Sequence, residues 1–141
     1  MANSASGRDE VGDAAKPQST TARTMGLCIA GWLAGYMISC VSSILLFLVG
    51  HIPPHQPAST AVQWFTGIYG IVFAVVGATV GASFSRKNAV GIGAAIALTI
   101  GVVAMWSWYE TPDQSHWTQV IAIFLMAPAA QFGSLTRRLT D

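Results

Sequence analysis

The residues best suited to chemistry in this chain are three histidines, His51, His55 and His116, with two carboxylates near the last of them, Glu110 and Asp113. Imidazole nitrogens and carboxylate oxygens are the ligands that zinc or copper takes, so these five make His51, His55 and His116 weak candidates for a metal site. The spacing speaks against a preformed one. Pro53 and Pro54 separate His51 from His55, so the two rings are not stacked on one helical face. The expectation is therefore three imidazoles in two wet loops, with no cofactor. Ser115 adjoins His116 only in sequence. Nothing resembles a nucleophile elbow, a phosphate loop or a CxxC pair, and the chain is read as a non-enzyme with no catalytic residues.

A second polar set, Gln63, Thr66, Tyr69 and Gln119, falls at the ends of apolar stretches nearest the histidines. It could rim a shallow vestibule, or it could hydrogen-bond between helices and to headgroups, since a buried polar group must find a partner. Gln131 is expected to reach the opposite interface for the same reason. Cys28 and Cys40 lie in one expected helix with Cα atoms roughly 18 Å apart, too far to pair within it.

The elements that position these groups are set by what the chain lacks. Of the 141 residues 52% are hydrophobic and 9% charged, and from Thr24 to Ser85 not one Asp, Glu, Lys or Arg occurs. A soluble helix needs a wet face, and this run has no material for one; hydrocarbon removes the need. The net charge of +1 leaves nothing to neutralise a run of phosphates, which excludes a nucleic-acid partner. The partner is the lipid bilayer.

Four spans follow, at about 25–50, 61–84, 89–109 and 117–135, separated by HIPPHQPAST, the basic turn Ser85-Arg86-Lys87-Asn88, and ETPDQSH. Residues 1–24 are polar and poor in large apolar side chains, and read as a disordered tail. They do not read as a signal peptide, because Asp9, Glu10 and Asp13 precede an apolar run too long for one. Residues 136–141 read as a short second tail. Arg8, Lys16, Arg23, Arg86, Lys87, Arg137 and Arg138 all fall on one side of a four-span arrangement, so both termini are expected in the cytoplasm. Trp64, Trp106, Trp108, Tyr109 and Trp117 fall at the other interface. The fold expected is an all-α integral membrane four-helix bundle, antiparallel and up-down-up-down, multi-pass in the cell membrane.

Small residues recur at spacings of three and four along the first three spans. Gly31 and Gly35 form a GxxxG pair in the first. Gly70, Ala74, Gly77 and Gly81 stripe the second, and Gly93, Ala97, Gly101 and Ala104 the third. In lipid, close backbone approach drives helix association. Folding the second and third spans about Lys87 sets Gly81 opposite Gly93, Gly77 opposite Ala97, Ala74 opposite Gly101 and Gly70 opposite Ala104. That central hairpin is expected to be the packing centre, leaving the first span's glycine face for a second copy or another membrane protein. No Asp, Glu, Lys, Arg or His falls near the middle of any span, which argues against proton-coupled transport. These features together point to an accessory or assembly subunit. A small oligomeric channel or uncoupled transporter is the alternative, and an outward-facing metal-binding protein a third reading.

Overall fold

The computed structural model describes residues 16–139. Among these the chain is all helical: α1 (Lys16–Gly50), α2 (Thr60–Ser83), a 3-10 turn (Arg86–Asn88), α3 (Ala89–Glu110), α4 (Trp117–Ile121), a π turn (Ala122–Met126) and α5 (Ala127–Leu139). Four stretches, Thr20–Gly50, Thr60–Ser83, Arg86–Glu110 and Trp117–Arg137, are long and apolar enough to cross a bilayer. The last, the fourth span, comprises α4, the π turn and most of α5.

Each boundary has a local cause. α1 stops before the prolines of the first loop. The Ile52 N–H returns to the Phe47 carbonyl at 3.2 Å, and His51 adopts φ 50° at the position where glycine usually ends a helix. Ser59 caps α2, its hydroxyl accepting from the Val62 N–H at 3.4 Å. In the fourth span Pro128 has no N–H to offer the Phe124 carbonyl. The turn just before it is widened, with the Ala127 N–H reaching the Ala122 carbonyl.

Two expected boundaries move. Helix α1 begins at Lys16, so residues 16–24, expected to be disordered, form its first turns; the remainder of that tail lies outside the described residues. The same holds at the other end, where α5 continues to Leu139 through most of the stretch expected as a tail.

The helices run antiparallel in sequence, and Arg23, the Arg86–Asn88 turn and the end of α5 gather at one end of the bundle. Their order around the bundle is not the chain order. α1 packs most extensively on α2, α2 on α5, and α5 on α3, while α2 and α3 meet across a diagonal. The centre is built from small and β-branched side chains: Ala74, Ala78, Ile92, Ile96, Ile100 and Ala130. Along the spans the outside carries many exposed large apolar side chains, as hydrocarbon favours, among them Leu33, Met37, Leu45, Leu98 and Phe124.

The expected pairing of the second and third spans is therefore corrected. The glycines of α2 face α1. A Cβ at Gly31 would strike the Gly81 carbonyl and one at Gly81 the Gly31 carbonyl; at Gly35 it would lie 2.6 Å from the Gly77 carbonyl oxygen. Gly93 meets Ser134 of α5, and Gly70 meets Met126. Ala74 and Ala104 are buried, Ala97 is partly so, and Gly101 faces open space. α2 carries small residues around more than one side, so spacing identifies its close-contact positions without saying which neighbour fills each. The Gly31–Gly35 face, expected to serve another chain, is filled by α2.

Candidate intramembrane cavity

The end of the bundle that carries the histidines is where the helices part. Near the basic end α1 and α3 are tied together: the Trp32 Nε1–H donates to Thr99 Oγ1 at 3.0 Å, and Ile96 inserts its Cδ1 between Gly35 and Gly81. Towards the other end no equivalent tie joins α1 to α3 among the described residues. A cavity of about 460 Å³ opens there, and all four spans contribute to its wall. Ile44 of α1 and Val103 of α3 line it and are also exposed, so its mouth lies on the lipid-facing side between these two helices.

The aqueous end is roofed. Phe47 packs edge-on against Trp117, ring centroids 6.4 Å apart. Trp117 is buried, and its Nε1–H donates to the Gln56 carbonyl at 2.9 Å. The two loops are joined directly as the Ser115 N–H donates to the His55 carbonyl at 3.2 Å. Trp117 is thus a clasp on the first loop, whereas Trp64, Trp106 and Tyr109 are exposed as interfacial rings should be.

Most of the lining is apolar, and several of its polar groups are already engaged. The Ser39 hydroxyl donates to the Gly35 carbonyl at 3.2 Å, Ser43 to the Ser39 carbonyl at 2.9 Å, and Tyr69 to the Ser42 carbonyl at 3.2 Å. Gln119, 3% exposed, donates from Nε2 to Ser107 Oγ at 3.1 Å and accepts from Thr118 through Oε1 at 2.8 Å. Thr66 is not engaged. It lines the cavity, is 6% exposed, and its Oγ1 has no hydrogen-bond partner. Among the described residues no Asp, Glu, Lys, Arg or His belongs to the wall; Tyr36, Cys40 and Tyr69 are its ionisable side chains.

Three of the four polar residues singled out from sequence meet at this cavity: Thr66, Tyr69 and Gln119. The fourth, Gln63, turns to the loop and donates to the Ala58 carbonyl at 2.9 Å. Sequence reasoning missed the α1 contribution, Ser39 and Ser43. The i, i+4 spacing of the two serines was a usable signal, since both hydroxyls fold onto their own helix.

The histidines are not drawn into one site. His51 shapes the end of α1, and the His116 ring stacks on Trp108 with centroids 4.5 Å apart. Among the described residues no three His, Cys, Asp or Glu side chains converge as metal ligands would. Cys28 and Cys40 are both free thiols. The chain matches no known protein family, and no curated protein or solved structure is similar to it.

Proposed function

We propose that this multi-pass membrane protein catalyses no reaction and works by holding an apolar molecule in the half of the bundle that carries the histidines. The observation behind this reading is the cavity itself: its volume of about 460 Å³ lies in the range of small-molecule sites, all four spans form its wall, and its mouth faces lipid. The wall's ionisable groups are two tyrosines and a cysteine, with no carboxylate, imidazole or amine among the described residues, so binding is the chemistry the arrangement supports better than proton transfer. In this reading the protein lies in the cell membrane with the cavity towards the outer leaflet; the distribution of Lys and Arg supports cytoplasmic termini.

Photolabelling with an alkyl diazirine in nanodiscs tests this. Saturable labelling of the cavity wall at Ile44, Val103 and Met126, lost in Ala104→Phe, is the expected result. Labelling that rises without saturation and spreads over Leu33, Leu98 and Phe124 would show a lipid-facing surface and no site.

A second reading, an accessory or assembly subunit, is favoured by a different surface from the one expected. A shallow groove of about 570 Å³ runs between α3 and the fourth span, lined by Gly101, Met105 and Trp106 with Ile123 and Ala127. A helix of another membrane protein could lie against Gly101. The uncoupled-transporter alternative shares the cavity, and solute flux through the purified protein in liposomes separates it from simple binding.

A further inference from the structure

We infer that the cavity selects an uncharged amphiphile, an aliphatic body with a single oxygen head, and that Thr66 takes the head. This rests on the binding reading above and adds the chemical class of ligand. The first argument is electrostatic. Moving a charged head from water into a wall that carries no counter-charge leaves it desolvated and unpaired, a cost that an apolar body does not recover. Carboxylates, phosphates and amines are therefore disfavoured, while an alcohol, ketone or ester oxygen is not.

The second argument concerns protons. Ser39, Ser43 and Tyr69 have committed theirs to backbone carbonyls, so they turn oxygen lone pairs, not donors, towards a guest. Thr66 differs. A threonine inside a helix ordinarily bonds the carbonyl one turn back, as Thr79 does to Val75 at 2.8 Å and Thr99 to Ala95 at 2.7 Å. Thr66 does not, and its hydroxyl stands buried without a partner. It keeps a proton to donate to a guest's oxygen. The movable group nearby is the Met126 thioether, which occupies the space that the missing side chain of Gly70 leaves one turn along. A flexible, polarisable side chain can swing aside without disturbing the backbone.

Competition against the alkyl diazirine label in nanodiscs, with the full chain, reads this out. Dodecanol should displace the label. Dodecyl sulfonate and dodecyltrimethylammonium, permanently charged on the same chain, should need at least about tenfold more. Thr66→Val should weaken dodecanol about tenfold and leave dodecane unchanged, while Thr66→Ser keeps the hydroxyl and the affinity. Equal competition by either charged probe overturns the selectivity, and unchanged dodecanol affinity in a folded Thr66→Val protein overturns the role of Thr66. Absence of saturable labelling in the unmodified chain is a different failure: it removes the binding reading, and this inference with it.

Discussion

Gly35→Ala is the sharpest perturbation of the α1–α2 contact. A Cβ there would lie 2.6 Å from the Gly77 carbonyl oxygen and 2.5 Å from Ile96 Cδ1. The isoleucine terminus can rotate away. The carbonyl belongs to the backbone of α2 and cannot. Carbon–oxygen contacts settle at about 3.3–3.6 Å, so the two helices must part by about 0.7 Å or more at this point. Overpacking of this kind costs about 1–3 kcal/mol, while replacing glycine by alanine in a helix returns up to about 1 kcal/mol. The net expectation is a loss of about 1–2 kcal/mol. Gly101→Ala is the internal control, because a Cβ there meets nothing within 4 Å and the propensity gain stands uncancelled. Reversible unfolding in mixed micelles, followed by the fluorescence of Trp32 beside the contact, compares the two. If Gly35→Ala proves as stable as Gly101→Ala, the close approach of α1 and α2 is refuted, and the account of why the glycines stand where they do goes with it.

Three further outcomes are expected. Thr66→Val, with no ligand added, should stabilise the bundle by about 1–3 kcal/mol in the same assay, because it removes a buried hydroxyl that has no partner; destabilisation would mean the hydroxyl is bonded. Trp117→Phe deletes the donor to the Gln56 carbonyl and should speed hydrogen exchange in the first loop with a cost of about 1 kcal/mol, whereas an unchanged exchange profile would remove Trp117 as the clasp. Cysteines placed at Gln114 and at Asn88, in a background lacking Cys28 and Cys40, should react with impermeant reagents from opposite faces of the membrane, and labelling of both from one face would end the proposed topology.

The number of spans is legible in the sequence because its determinants are local. A run from Thr24 to Ser85 without a charge, broken by Pro53, Pro54 and Pro57, admits few other readings. The cavity is half legible: Thr66, Tyr69 and Gln119 stand out as polar groups in apolar stretches and do converge. What spacing cannot supply is the neighbour. Gly77 and Ala78 sit on different sides of α2, one against Gly35 of α1 and the other in the central core, and both satisfy a small-residue stripe. The pairing is decided by the whole set of contacts, among them Ser134 filling Gly93 and Ile96 filling the notch between Gly35 and Gly81. Trp117 lies at the expected end of its span, but buried against the first loop and not as an exposed interfacial ring. An indole near a membrane interface reads as an anchor until the loop carbonyl that takes its N–H is known.

The circular order of the helices sets a sequence of events during synthesis. The glycine-to-carbonyl contacts join α1 to α2, its immediate successor in the chain, so they can close before α3 has left the translocation machinery. The compartment between the spans depends on the last helix to be made, since Thr118, Gln119 and Met126 supply its final side. A nascent chain halted after α3 would thus hold a finished helical pair and an incomplete receptacle, with Gly93 still awaiting Ser134.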